Sequence, residues 1–439
     1  MFKAVQGTVF VALVLMLAAC SGDKEVLTGK RISVLGHDAF VAQSDKILSK
    51  SVKISEPENV SVWSQFAGNV KHVMPNIKTN SDLMEKWRAG FGKGADDDNM
   101  LLARPVAANG VLYVQDTKAT VVAFELATGK KIFKHKLKPA NKSDYDCVLN
   151  GVGLAIKDDV VYAVAGFGSV FALNAKDGSQ IWRKDFGIPL RTSPAVSDKT
   201  LFIQTLNNAF YALDVKDGSE LWMYNISAED TVLAGSSVAA FDEKTDTVVT
   251  SFSNGETIGF NASIGYVVFE ESLIDLNRFN TTTAINAVKA SPVIDEGVVY
   301  VFGSGNKSMA LKMPTGEVLW EGKTGSLETP WLNEDALFVL TSAHTLNAVD
   351  KKTGDVLWQR ALLEEFDASE RQDMYLTEPV LMNGELVVAS STGVVYFVDA
   401  STGEIKRQLN TDEKIAFAPI AVDGCVVFVT QDAEVIVYQ

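Results

Sequence analysis

Short apolar runs bounded by turn residues recur along the chain in a fixed order. The clearest block is 193–222, SPAVSDKTLFIQTLNNAFYALDVKDGSELW, where a short strand, a longer apolar strand, an Ala-Leu-Asp strand and an Asp-Gly turn lead to a Trp. The same skeleton reads SPVIDEGVVYVFGSGNKSMALKMPTGEVLW at 291–320 and TPWLNEDALFVLTSAHTLNAVDKKTGDVLW at 329–358. Self-similarity of this kind marks a supersecondary unit that buries its apolar faces only by stacking on a neighbour. Strands such as VVYAV (160–164) and GVVYVF (297–302) are apolar on both alternations, as in sheets covered on both faces. A sandwich sheet with one wet face would alternate more cleanly.

Aligning the turns brings Gly129, Gly178, Gly218, Gly265, Gly316, Gly354 and Gly403 into register, 49, 40, 47, 51, 38 and 49 residues apart. The mean, about 46, suits a four-stranded propeller blade. Four residues after each glycine stands a large side chain: Phe133, Trp182, Trp222, Phe269, Trp320 and Trp358, with Arg407 the exception. These are predicted to fill the wedge that widens between blades away from the axis. The last segment, APIAVDGCVVFVTQDAEVIVYQ, supplies three strands and stops. Lys86-Trp87-Arg88-Ala89-Gly90-Phe91 has the look of the missing outer strand. The predicted fold is therefore all-β: an eight-bladed β-propeller of four-stranded antiparallel blades, closed by an N-terminal strand joining the C-terminal blade. The alternative, seven blades and an unpaired terminal sheet, would leave a strand edge open.

The N-terminus departs from this pattern. Lys3 precedes an apolar run from Val9 to Leu17, which meets Ala18, Ala19 and Cys20. That is the layout of a secretory signal, and the run is short for a membrane span of roughly 20 residues. Residues 21–60 mix charges and small residues with no sustained period. The expected organisation is 1–19 signal peptide, 20–60 flexible tether and 61–439 propeller.

Composition narrows the partners. With 439 residues and 47 % hydrophobic content, one repeated architecture can bury a large core. The formal net charge is −15, and removing 1–19, which carry only Lys3, makes it −16. Such a surface repels phosphate backbones, so nucleic acid is not an expected partner. Beyond Cys20 there are Cys147 and Cys425. They could pair in an oxidising compartment, but Cys425 occupies the apolar strand position of Val111 and Val298, where a thiol behaves as a small hydrophobe.

Candidate chemistry is sparse. His37, His72, His135 and His344 are far apart, and neither HExxH nor paired-cysteine spacing suggests zinc. No GxSxG elbow or Walker loop occurs, and Gly166-Phe167-Gly168 reads as a hairpin turn. Asp96-Asp97-Asp98-Asn99 lacks the ligand pattern of a calcium loop, having Leu101 and Ala107 where glycine and glutamate are needed. Asp214, Asp350 and Asp399 recur at one repeat position and are predicted to bond to backbone in their hairpins. No catalytic, metal or cofactor-binding residues are assigned.

The unit Ala212-Leu213-Asp214…Gly218…Trp222, together with Trp63, Gly68-Asn69 and His72, resembles the repeats of the pyrroloquinoline-quinone propeller superfamily. Leu17-Ala18-Ala19-Cys20 resembles a bacterial lipobox, whose Cys sulfur is acylated, and Ser21 at the next position implies sorting to the outer membrane. Taken together the chain resembles the BamB family of lipoproteins of the outer-membrane β-barrel assembly machine. The resemblance implies a non-catalytic, cofactor-free scaffold at the periplasmic face of the outer membrane. Its implied partners are the periplasmic domains of the BamA insertase, other subunits of the machine and unfolded outer-membrane proteins. The family's contact motif for BamA, an exposed apolar-x-Leu-Arg segment, is matched by Ile188-Pro189-Leu190-Arg191, so Ile188 and Leu190 would fill an apolar groove and Arg191 would meet a carboxylate. The family's second, acidic contact falls on Ala287 and Lys289, a departure from its pattern. Quinone-dependent dehydrogenases share the repeat, but they also carry adjacent cysteines and a calcium-binding set of Asp, Glu and Asn that this sequence does not match. A peptide- or polysaccharide-binding propeller is the third class, since such rings often hold ligands at their axial mouths.

Overall fold

The apolar runs form strands that pair in sequence order, each antiparallel to the next, into eight four-stranded sheets. The structure is a computed structural model describing residues 47–140, 150–227, 236–274 and 288–439, except 365, 368, 369, 372 and 373. The signal peptide, Cys20, His37, Cys147 and Ala287 lie outside the described residues. Blades 1 to 7 span 106–136, 151–185, 195–225, 240–272, 293–322, 331–361 and 380–410. Blade 8 takes three strands from 420–438 and its fourth, Glu85–Gly90, from the other end of the chain. That strand runs antiparallel to Glu434–Tyr438, with Trp87 opposite Val437, and closes the ring as the sequence predicts.

Burial falls from the first strand of a blade to the fourth. In blade 1, Val106–Ala108 is buried throughout, whereas Lys131–Lys136 alternates between exposed and half-buried. The first strands therefore line the axis and the fourth strands form the rim, as in the eight-bladed propeller the sequence anticipates.

The turn glycines and rim aromatics are one device. A Cβ placed on Gly218 would lie 2.8 Å from the Trp182 ring of the preceding blade, and φ there is +72°, so both space and backbone demand glycine. The same stacking joins Trp87 to Gly129, Phe133 to Gly178, Trp222 to Gly265, Phe269 to Gly316, Trp320 to Gly354 and Trp358 to Gly403. Each of these tryptophans also donates its indole N–H to a carbonyl three residues before that glycine, as Trp222 does to Ala262 at 2.8 Å. Burying one such ring contributes about 2–3 kcal/mol. The Arg407 exception has a cause. Blade 8 draws its fourth strand from the N-terminus, so it has no third-to-fourth-strand turn and no glycine for an aromatic to cover. Arg407 instead lies over the Phe397 ring of its own blade at 3.7 Å and bonds to Glu385 at 3.1 Å.

Residues 47–60, which composition assigns to a flexible tether, are packed on the sheets. Leu48 N donates to Val356 O at 3.1 Å, Val52 N to Ser401 O at 3.0 Å and Ser55 N to Asn333 Oδ1 at 3.0 Å, and Val52 is buried. The segment continues as a strap across the axis. Between Ser55 and Ile77 it bonds to the innermost strand, or the turn just after it, of every blade, and its Trp63 ring meets Trp331 of blade 6 at 6.3 Å besides. In blades 1 to 3, Trp63 exchanges two 2.8 Å bonds with Ala107, Ser64 O accepts from Ile156 N, and the Gln65 amide pairs with the Val196 backbone. Val70 O and Lys71 O accept from Phe241 N and Ile294 N of blades 4 and 5. Ile77 bonds to Leu381 and Asn383 in blade 7. Ser55 on Asn333 of blade 6 and Val60 O on Asp423 N of blade 8 complete the set, so all eight are tied.

Candidate functional site

A strap that reaches every inner strand at the end where it turns into the second strand closes that end of the axis. The opposite end is open. There a cavity of about 530 Å³ is lined by residues at or just before the start of each inner strand, from Arg104 ahead of blade 1 round to Phe417 ahead of blade 8, with Phe66 of the strap also in its lining. Because all eight blades contribute, the lining is where the repeat can differ from blade to blade without disturbing the sheets.

Charge is concentrated on one side. Arg104 grips Glu378 of blade 7 through both guanidinium N–H groups, Nη2 to Oε2 at 3.0 Å, and lies 4.9 Å from the Phe66 ring and 5.4 Å from the Phe417 ring. Glu328 of blade 6 accepts from Lys289 at 2.8 Å and stands 3.9 Å from Arg104. Burial pushes the Glu378 carboxyl above the usual range, against the pull of Arg104 towards the ionised form and with the push of Glu328. Lys289, noted in the sequence for replacing an acidic family position, is thus a cavity residue.

Arg191, on the blade 3 side, is different. It is buried, 4 % exposed, and its Nη2 donates to the Asn208 amide oxygen at 2.9 Å. Asn208 is in turn held by Ser227 and Ser253. Among the described residues, Nε and Nη1 of Arg191 have no hydrogen-bond partner and no carboxylate pairs with it. Burial pushes its pKa down to about 10, which leaves the group cationic at neutral pH.

The segment 188–191 is therefore not exposed throughout, as the resemblance implied. Leu190 pairs with Thr205 and is buried at 2 %, and Arg191 turns inward, because Leu190 is needed in the core between blades 2 and 3. What reaches the surface is Ile188, half-buried, and Pro189, exposed. Pro189 O accepts from Leu206 N at 2.8 Å, and Leu206 is an exposed apolar residue at a hairpin tip. Sequence reading missed Leu206; an apolar residue in the polar turn Thr-Leu-Asn-Asn was its signal.

Other sequence candidates are structural. Asp214, Asp350 and Asp399 accept backbone N–H bonds two residues on, at 2.8 to 2.9 Å. Asp96 caps its own loop by accepting from the Asn99 and Asp98 backbones. His72 Nδ1 lies 2.7 Å from Pro292 O, and burial pushes its pKa down to about 4. Cys425 is buried in its strand. The axial residues do not fit a metal-assisted quinone: both carboxylates of the described lining are engaged by Arg104 and Lys289, and among the described residues no three His, Cys, Asp or Glu converge.

Comparison with known proteins agrees with this architecture. The family described as outer membrane protein assembly factor BamB matches residues 117–360 and 345–439. The chain is similar to outer membrane protein assembly factor BamB of Yersinia pestis, 24 % identical over 342 residues, covering 77 % of this chain and 84 % of that one. It is similar in structure to BamB from Moraxella catarrhalis, with TM-score 0.65 and 16 % identity over 82 % of this chain and 98 % of the other. A quinohemoprotein alcohol dehydrogenase from Pseudomonas putida superposes with TM-score 0.66 and 15 % identity over 87 % of this chain and 80 % of its own; both structural likenesses show the fold alone. The chain belongs to the outer membrane protein assembly factor BamB family.

Proposed function

We propose that this member of the family is a non-catalytic scaffold of outer-membrane protein assembly, held at the periplasmic face of the outer membrane through an acylated Cys20. The observation that carries the reading is the family match from residue 117 to the C-terminus, which runs through every blade. The charged axial groups support it. Catalysis calls for a nucleophile, base or metal poised at a reacting centre. Here Glu328 and Glu378 are bound by cations, and Arg191 is a guanidinium that donates to Asn208 and cannot accept a proton.

In this reading the chain engages the BamA insertase, with the other subunits of the machine, through Ile188, Leu190 and Arg191. Ile188 with Pro189 and Leu206 offers the accessible apolar surface, while Leu190 and Arg191 hold the segment from beneath. Buried apolar anchors of this kind carry most of an interface's energy. Ile188→Asp combined with Leu206→Asp tests the contact, because neither side chain is in the core. Copurification of BamA with the double variant should fall at least about tenfold, roughly 1.4 kcal/mol, with the melting temperature unchanged. Undiminished copurification would remove this surface from the reading.

A further inference from the structure

From the outer edge of blade 1 we infer a docking strip for an extended acidic peptide, which adds to the fourth strand as one more β-strand. The molecule already holds an example of such an addition. Ile47 pairs in parallel with Val356 at the start of the fourth strand of blade 6, and Leu48 and Lys50 donate their backbone N–H groups to Val356 O and Leu357 O at 3.1 and 3.0 Å. Under this cover Leu357 is 5 % exposed. Ile132 stands at the same place in blade 1, three residues after the turn glycine and in the same bulge, and is 43 % exposed. A rim edge with an open apolar side chain is a template for a further strand.

Charge decides which segment fits. The fourth strand of blade 1, Lys131–Lys136, reads Lys-Ile-Phe-Lys-His-Lys, and Lys130 and Lys138 flank it. All five lysines are exposed, and among the described residues none is in an ion pair. No other rim strand carries three lysines, and those of blades 3, 4 and 5 carry glutamates and no cation. Lys136 Nζ donates to the Lys118 carbonyl, and burial, with repulsion from Lys118 and Lys134, holds its pKa below the usual range against the pull of Asp116. This cationic strip belongs to a chain whose net charge is −15. On blade 6 the apolar pair Val356-Leu357 takes the apolar pair Ile47-Leu48. The lysines of blade 1 call instead for carboxylates on either side of an apolar residue that covers Ile132. A lipid surface would use the lysines but not the backbone edge.

Fluorescence anisotropy of the full chain with a short labelled peptide of alternating glutamate and valine tests the strip, beside its lysine–valine counterpart and a glutamate–proline peptide that cannot pair as a strand. The glutamate–valine peptide should bind saturably at low ionic strength, and the other two at least about tenfold more weakly. Bound peptide should slow hydrogen exchange in Lys131–Lys136 but not in Glu317–Gly322, the fourth strand of blade 5. Lys131→Glu with Lys134→Glu should weaken binding at least about tenfold at an unchanged melting temperature, because both side chains are exposed. Lys199→Glu with Lys216→Glu, the same change of charge at exposed positions of blade 3, should leave binding unaltered. Equal binding of the three peptides, equal loss in the two double variants, or no binding at all would overturn the strip; in the last case the lysines only keep the edge from pairing. Adhesion to phosphatidylglycerol vesicles that displaces the peptide, and is lost in Lys131→Glu with Lys134→Glu, would overturn the peptide in favour of a lipid surface. These variants leave Ile188 and Leu206 in place and no partner protein is present, so failure here and failed copurification of BamA are separate results.

Discussion

The rim and the axis of the ring follow opposite rules. At the rim one arrangement is repeated: an aromatic of one blade lies on the turn glycine of the next, at seven of the eight junctions. At the axis the residues just ahead of the inner strands include Arg104, Arg191, Lys289, Glu328 and Glu378, so the charge presented changes around the ring. Repetition at the rim means that each junction solves the same packing problem. Its absence at the axis means that the residues there answer to something other than packing. The single rim junction that departs, at Arg407, does so because the chain's two ends meet there.

The largest effect should come from breaking a rim junction. Trp222→Ala removes a buried ring with its bond to Ala262 and should cost about 3–5 kcal/mol in a chemical melt. At the axis, Arg104→Gln leaves Glu378 buried without its cation, a loss of roughly 2–4 kcal/mol at neutral pH. The carboxyl's folded pKa is already raised by burial and would rise further. Stability it contributes is present at low pH and is lost as pH rises through that value, so the deficit of the variant should shrink on acidification from pH 7 to 5. Gly265→Ala, with φ +75° and a Cβ 2.5 Å from Trp222, should cost about 2–3 kcal/mol, and much less when Trp222 is already alanine. Arg407→Ala should cost only about 1 kcal/mol, because its stacking and ion pair are partly solvated. A loss at Arg407 as large as that at Trp222 would erase the distinction between the seventh junction and the others.

The rim was readable from sequence because its rule is periodic: Gly129 to Gly403 and their aromatics announce the blades, and the Trp87 strand announces the closure. The strap was not. Residues 47–60 bind by backbone groups and isolated side chains such as Ser55 on Asn333, across turns that no single sheet direction orders, so no period appears. Segment 188–191 was legible as a loop and a family motif, but not in its orientation. Leu190 faces inward because its backbone pairs with Thr205, a contact fixed by a hairpin fifteen residues on. The isolation of Arg191 depends on what is absent around it in space, which a linear pattern does not record.

The strap has a consequence for how the molecule comes into being. Its residues leave the ribosome before any blade, yet the groups it binds, from Ala107 to Asp423, exist only after nearly the whole polypeptide has been made. The first segment synthesised is therefore among the last to find its place, and Glu85–Gly90 shares this fate because its neighbour is Glu434–Tyr438. Such distant pairings are slow to form. Until they do, the nascent ring stays an open arc with its Trp63 and Ile77 side chains uncovered, a species that in a cell calls for protection from its neighbours.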